Sequence, residues 1–146
     1  MSREFRRLNT QIVQHANAGQ WKKCAEGYKE LYDMLRKVEN FKSQDGMSRL
    51  WSLSGYTSIF IDEHERATEA DITYIKAVSK DGGLPPEERA LAGFSLGFIL
   101  WLARRREDAM KAYKQVLKLI ITEEQKKKPI IGMSGHPSTA GREFDD

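Results

Sequence analysis

The chain has 146 residues, of which 40% are hydrophobic and 31% charged, and its formal net charge is +3. This length suffices for one domain whose core needs neither a disulfide nor a structural metal. Lys and Arg number 24 against 21 Asp and Glu, an excess too small to indicate a nucleic-acid-binding protein. Cys24 is the single cysteine, which excludes an internal disulfide and a zinc site built from several cysteines.

The N-terminal segment lacks the apolar run of a secretory signal, and the longest uncharged apolar stretch, residues 91–103, is too short to span a bilayer. A single cysteine also fits a reducing compartment. We therefore expect no membrane association and a soluble protein in the cytoplasm, with the nucleus as the alternative.

Two helices are predicted in the first 40 residues, because apolar residues recur there at steps of three or four. Gly19 separates them and is suited to the position just after a helix end. The first stripe comprises Phe5, Leu8, Ile12 and Ala16, and the second comprises Trp21, Cys24, Tyr28, Leu31, Leu35 and Val38.

Four more helices are predicted after residue 40. Residues 41–46 break the pattern, and a third helix follows from about Met47 to about Asp62. The charged run of residues 62–65 is predicted to start a fourth helix, which the glycines at 82 and 83 close. Two prolines and two glutamates suit the entry of a fifth, and a sixth spans residues 105–126.

No window alternates with the period of a strand, so the predicted fold is all-α. Residues 1–127 form the predicted helical domain. Residues 128–146 are rich in Gly, Pro, Ser and Thr and are predicted to be a flexible tail.

The even-numbered helices share a spacing in which a small residue is followed after four positions by a tyrosine and after three more by a compact residue. Such residues lie on one helical face. Gly93 and Gly97 in the fifth helix are predicted to let the sixth helix approach closely. The three sets are Cys24, Tyr28 and Leu31; Ala70, Tyr74 and Ala77; and Ala109, Tyr113 and Val116.

With these positions the sequence resembles the tetratricopeptide repeat family. The Leu-Gly pair of that family's first helix is matched by Leu96 and Gly97, and the large residue after it by Leu100. The first pair matches through Gly19 and Trp21. The resemblance implies three antiparallel helix pairs stacked as a short right-handed superhelix.

The resemblance also implies a function: a non-catalytic adaptor or scaffold whose concave surface binds a peptide or helix of another protein. The oligomeric state is left open. A clamp for acidic C-termini is not expected, since only Asn9 matches its residues. The predicted partner-binding residues are Arg6, Asn9, Val13, Ser54, Ser58, Phe94 and Phe98.

No residue pattern indicates catalysis, a cofactor or a metal. Residues 132–136 lack the second glycine of a nucleophile elbow, and the three histidines have no metal-ligand spacing. Cys24 lies on an apolar stripe and is interpreted as a core residue. Two alternatives stay open: a small helical enzyme or enzyme subunit without a visible motif, and a nucleic-acid-binding regulator that uses the basic residues at 104–106 and 126–128.

Overall fold

A computed structural model describes residues 3–37 and 43–127, with only the backbone at 43–47. These residues are all-helical and contain no strand. The predicted tail at 128–146 lies outside them. The six helices are α1 (Arg3–Asn17), α2 (Trp21–Arg36), α3 (Ser43–Ile61), α4 (Glu69–Lys80), α5 (Pro86–Leu102) and α6 (Arg106–Lys127).

The three odd-numbered helices end in the same way. Each is followed by a residue in the left-handed region, with φ of 70° at Gly19, 60° at Glu63 and 63° at Arg104. The next residue's N–H donates to a carbonyl five positions back, at 2.8–2.9 Å in all three cases. This is the Schellman motif, which satisfies carbonyls at a helix end.

Neighbouring helices pack in a defined order among the described residues. α2 packs against α1 and α3, whereas α5 packs against α3, α4 and α6. The α5–α6 pair is antiparallel, because Gly93 lies beside Val116 and Gly97 beside Tyr113. The backbones of α3 and α4 do not approach each other closely, since aromatic side chains lie between them.

Those aromatic side chains belong to a partly buried polar network at the edge of the core. The ring of Tyr56 meets that of Tyr74 edge to face at 5.5 Å. The Tyr56 hydroxyl donates to Asp71 at 2.7 Å, and the Tyr74 hydroxyl donates to Asp33 of α2. Burial, together with these carboxylates, raises the pKa of both tyrosines. The network therefore joins α4 to α2 and α3, whose backbones α4 does not approach closely.

The glycines of α5 are explained by close packing. A Cβ placed on Gly97 would lie 2.5 Å from Cε1 of Tyr113, and one on Gly93 would overlap Val116. The predicted close approach of α6 at these glycines is confirmed. Gly97 faces Tyr113, whose ring fills the space that glycine leaves.

Three predictions about the middle of the chain are wrong. α3 begins at Ser43, so residues 43–46 are helical and do not break the pattern. Residues 62–65 form a turn rather than a helix start, because Thr68 and Asp71 cap α4 reciprocally and fix its beginning at Glu69. α2 ends at Arg36, four residues before the predicted end at 40.

The predicted face of α4 is wrong in part. Ala70 and Ala77 are exposed, whereas Tyr74 is half-buried, and the buried residues of the helix are Ile72, Ile75 and Val78. Burying the isoleucines removes more apolar surface from water than burying the alanines would. The small–aromatic–compact set keeps its predicted face in the other two helices: Cys24, Leu31, Ala109 and Val116 are buried, and Tyr28 and Tyr113 are half-buried.

Candidate functional site

The residues predicted to bind a partner lie on three different helices. On α1, Arg6 and Val13 are exposed and Asn9 is half-buried. Among the described helices, α1 packs against α2 alone. The three α1 residues are therefore not brought into one packed surface with the residues on α3 and α5.

The predicted residues on α3 and α5 belong to helices that pack side by side. Ser54 is exposed, and Ser58 is half-buried with its hydroxyl donating to the Ser54 carbonyl within the same helix. Phe94 and Phe98 are 43% and 42% exposed. The two phenylalanines are thus the largest apolar groups among the predicted residues that reach solvent.

Phe94 and Phe98 belong to a larger apolar surface on the last two helices. Seven of the nine exposed large hydrophobic residues in the described part of the chain lie on α5 or α6. One of them, Leu102, lines a cleft elsewhere. The other six define what we call the α5–α6 face: Phe94, Phe98, Trp101, Met110, Leu117 and Ile121.

The six side chains form two stripes. On α5 the stripe steps by four and then three residues, through Phe94, Phe98 and Trp101. On α6 it runs from Met110 through the half-buried Tyr113 and Leu117 to Ile121 at steps of three or four. Residues at this spacing project from one side of a helix.

Contacts between the helices show that the two stripes lie next to each other. The ring of Phe94 meets that of Tyr113 with 6.4 Å between centroids and a tilt of 47°. At one end of the face, the guanidinium carbon of Arg106 lies 4.8 Å above the Trp101 ring. The stripes therefore flank one shallow groove between α5 and α6.

Charged residues mark the two ends of this groove. Glu87 lies one heptad before Phe94 on α5, and Glu124 lies one heptad after Leu117 on α6; both are exposed. The helices are antiparallel, so both glutamates lie at the same end. Arg104 and Arg106, also exposed, lie at the other end. Glu107 and Asp108 are exposed at the arginine end, and Lys126 and Lys127 at the glutamate end, so both ends carry charges of both signs.

A buried ion pair lies beneath the surface on the other side of α5. Glu88 is 1% exposed and Arg49 6% exposed, and Arg49 Nη2 lies 3.0 Å from Glu88 Oε1. The Tyr32 hydroxyl donates to the same oxygen at 2.8 Å. Burial and this carboxylate raise the pKa of Tyr32. Because these groups are enclosed, they join α2, α3 and α5 rather than face a ligand.

Cys24 is a core residue, as predicted. Its side chain is 1% exposed, and its Sγ lies 3.7 Å from the Ile12 carbonyl oxygen. Burial raises the pKa of the thiol, which keeps it protonated and unreactive.

The described residues line two clefts with charged rims. One, of about 780 Å³, lies where α3 and α5 end, and its Arg105 is bound by Glu69 at 2.9 Å and by Asp108 at 3.4 Å. The other, of about 460 Å³, lies between α4 and α6, with Arg89 and Lys118 in its wall. Arg104 and Arg105 lie in the turn between α5 and α6, and Arg106 begins α6. Arg105 is held by carboxylates.

The turn at residues 62–65 has a packing role that the sequence did not reveal. The imidazole of His64 stacks on the indole of Trp21, with centroids 3.9 Å apart and planes inclined by 12°. This stack joins the start of α2 to the turn after α3. Among the described residues, no group of three His, Cys, Asp or Glu side chains is arranged to hold a metal ion.

Sequence reasoning missed four members of the α5–α6 face: Trp101, Met110, Leu117 and Ile121. A signal for them was present: Trp101 continues the spacing of Phe94 and Phe98 on α5, and the other three recur at helical spacing on α6. Their exposure could not be read from spacing, since a stripe at this period is equally typical of a buried face.

A scan of protein-family models found no match to the chain, and searches of curated proteins and of solved structures found none either. The likeness to tetratricopeptide proteins therefore rests on the residues quoted above. In the described part of the chain, no helix combines the length and the hydrophobicity needed to cross a membrane.

Proposed function

We propose that the chain is a non-catalytic protein–protein interaction module that binds a helix of another protein through the α5–α6 face. The observation that carries this proposal is the pair of exposed apolar stripes on adjacent antiparallel helices. A groove of this form receives an amphipathic helix, whose side chains enter at steps of three or four residues.

The size of the face supports the proposal. Its six side chains are 42–56% exposed. If each has about 200 Å² when fully exposed, the face presents on the order of 550 Å² of apolar surface. That lies at the upper end of the largest apolar patch on an ordinary monomer, about 300–600 Å².

The way α5 is held gives a second argument. α5 lies against both α3 and α4. α3 and α5 run in the same direction, because Arg49 and Glu88 pair near their beginnings while Phe60 and Ile99 line one cleft near their ends. A partner helix that packs against both α5 and α6 would be held in the same way as α5 is held by α3 and α4.

We also propose that the helices stack as a short tetratricopeptide-like superhelix. The three matching ends of α1, α3 and α5 support this arrangement, as does the contact between α3 and α5. The α3–α4 pair departs from it, because its backbones are held apart by Tyr56 and Tyr74.

Two matched variants test the function. Phe98→Asp places a charge in the face, and Val13→Asp makes the same kind of change on α1, where the side chain is 50% exposed. Both should fold, as checked by circular dichroism, since neither residue is buried. Quantitative affinity capture from cell extract should then find partners that are retained by Val13→Asp and lost by Phe98→Asp.

The outcomes separate the candidate surfaces. Partners that bind both variants as well as the parent chain would contradict the α5–α6 face as the binding site. Partners lost only in Val13→Asp would move the site to α1. Binding that falls steeply with salt and disappears after nuclease treatment would instead indicate nucleic acid.

A further inference from the structure

The cleft between α4 and α6 is a groove whose floor includes residues of α5. Among the described helices, α4 and α6 both pack against α5 but not against each other. Ser79 at the end of α4 lies beside Arg89 near the start of α5, with the Arg89 Nε donating to the Ser79 carbonyl at 3.4 Å. We call this cleft the α4–α6 groove. The apolar residues of its floor are Gly93, Leu96, Ala112, Val116 and Leu119.

The two helices are joined at their starts by Arg105. This side chain lies 2.9 Å from Glu69, the first residue of α4, and 3.4 Å from Asp108 near the start of α6. The carboxylates at that end are therefore already paired with an arginine. The residues that line the α4–α6 groove come from the end of α4 and the second half of α6, away from this ion pair.

The walls of the groove are basic. Glu123 is the one acidic residue among the described residues that line it, and Glu123 pairs with Lys126 at 3.0 Å. Lys80, Arg89 and Lys118 also line the groove, and none of them forms an ion pair with a described carboxylate. The groove therefore offers three unpaired cations to an occupant.

Arg89 is held in place more firmly than the two lysines. It is half-buried, and its hydrogen bond to a backbone carbonyl of α4 uses Nε and leaves both Nη atoms without a described partner. A guanidinium held in this way can bind a carboxylate through parallel hydrogen bonds. Lys80 and Lys118 are exposed on α4 and α6. Asp81, next to Lys80, does not line the groove, and its Oδ1 accepts the N–H of Gly83.

The length of the groove suits a peptide. Its lining on α6 runs from Ala112 to Lys126, a distance of about 21 Å at 1.5 Å per residue. An extended chain rises about 3.3 Å per residue, so about six residues would cover this length. No aromatic residue is among the described residues that line the groove, so it lacks the stacking surfaces typical of sites for single-stranded nucleic acid.

We propose that the α4–α6 groove binds an acidic segment of a partner protein, about six residues long. Carboxylates of the segment pair with Lys80, Arg89 and Lys118, and its apolar side chains contact the floor. This site is separate from the α5–α6 face, because Gln115 and Leu119 project about half a turn away from Leu117 and Ile121 on α6. The inference therefore does not depend on the proposed function and adds a second binding surface to it.

Selection of peptides from a random-peptide phage library on the immobilised parent chain tests this inference. We expect the selected peptides to be enriched in Asp and Glu next to apolar residues. Fluorescence anisotropy then measures the affinity of one labelled acidic peptide. That affinity should fall at least roughly tenfold in Lys80→Glu/Lys118→Glu, because two attractive charges become repulsive.

Lys22→Glu/Lys23→Glu is the matched control. It makes the same change of charge at two exposed lysines of α2, and it should alter the affinity by less than roughly twofold. Circular dichroism checks that both double variants are folded. A second substitution tests the arginine: Arg89→Gln should weaken binding roughly tenfold, and Arg89→Lys, which keeps the charge but not the paired Nη donors, should weaken it less.

Four outcomes would overturn the proposal. The first is a set of selected peptides without an excess of acidic residues. The second is an acidic peptide that binds Lys80→Glu/Lys118→Glu or Arg89→Gln as tightly as the parent chain. The third is a labelled oligouridylate that binds more tightly than the acidic peptide through the same lysines, because the occupant would then be nucleic acid. The fourth is an acidic peptide that no longer binds Phe98→Asp, because it would occupy the α5–α6 face.

Phe98→Asp also separates the two proposals. Acidic peptides in the α4–α6 groove should bind this variant as tightly as the parent chain, whereas the partners of the α5–α6 face should be lost. Failure of the peptide selection therefore leaves the capture experiment to decide the proposed function by itself.

Discussion

Tyr32 and Glu88 share a hydrogen bond of 2.8 Å although 56 residues separate them in the chain. The same Glu88 oxygen lies 3.0 Å from Arg49 Nη2, so three helices meet at one buried carboxylate. A buried charge is tolerated when it is paired and hydrogen-bonded, and removing one partner is costly. The centre of the fold therefore depends on a polar contact as well as on apolar packing.

We expect Glu88→Gln to lower the free energy of unfolding by about 3 kcal/mol, because it removes the charge that Arg49 faces. Urea denaturation at neutral pH measures the change. Glu87→Gln is the matched control, since Glu87 is exposed, and it should change stability by less than about 0.5 kcal/mol. Equal effects of the two substitutions would show that the buried pair contributes nothing specific.

Three tyrosines, two buried and one half-buried, predict a loss of stability at alkaline pH. The pKa values of Tyr32, Tyr56 and Tyr74 are raised in the folded chain, mainly by burial. Above the unfolded pKa of about 10, the unfolded chain loses these protons while the folded chain keeps them, so stability falls as pH rises. Three such groups give a slope of up to about 4 kcal/mol per pH unit.

Urea denaturation between pH 9 and pH 11 measures that slope. The variant Tyr56→Phe removes one of the three titrating groups, so its slope should fall by about a third, whatever its stability at pH 8. A stability that does not change over this pH range would contradict the burial of all three hydroxyls.

The Gly97–Tyr113 contact predicts that alanine is unfavourable at position 97 despite its helix propensity. An added Cβ would lie 2.5 Å from the ring, which must shift. We expect Gly97→Ala to destabilise by about 1–2 kcal/mol and Gly97→Leu by more than about 3 kcal/mol. The control is Gly82→Ala, because no atom lies within 4 Å of its added Cβ. A Gly97→Leu variant as stable as the parent would refute close packing of α5 on α6.

Glycine is expected to stabilise the chain at two helix ends. Glu63 and Arg104 adopt positive φ, which costs a residue with a side chain about 1–2 kcal/mol relative to its usual conformation. Glycine removes that cost, but it also gives the unfolded chain more conformational entropy to lose on folding. We therefore expect Glu63→Gly and Arg104→Gly each to stabilise the folded chain by about 0.5–1 kcal/mol. Thermal unfolding measures both variants.

The reverse change supplies the control for these helix ends. Gly19 holds the same conformation at the end of α1, with φ of 70°. Gly19→Ala should therefore destabilise by about 1 kcal/mol, although its added Cβ meets no atom within 4 Å. If all three substitutions shift the melting temperature in one direction, backbone strain is not the cause.

Local sequence signals predicted the all-helical fold and the close approach at Gly97. They predicted the end of α1, because a glycine at position 19 is typical of a helix end. Glu63 and Arg104 gave no such signal at the ends of α3 and α5, since charged residues rarely adopt positive φ. In α4 the tyrosine match favoured Ala70 and Ala77, although Ile72 and Ile75 offered a more hydrophobic alternative. The face that α4 buries is decided by its apolar area rather than by the spacing that it shares with α2 and α6.

The candidate site shows a different limit. Phe94 and Phe98 were predicted from their helix, but the rest of the face depends on how α6 lies against α5. The partners of Glu88 lie 39 and 56 residues away, and no local pattern connects them. Interactions over such distances in sequence are decided by packing of the whole chain.

The order in which the helices pack has a consequence for how the chain opens. Among the described helices, α1 packs against α2 alone and α6 against α5 alone, whereas α5 packs against three helices. Each outer helix can therefore detach without exposing the contacts that α5 makes with α3 and α4. Backbone amides of α1 and α6 should exchange with deuterium through such local openings, while those of α5 await unfolding of the whole molecule.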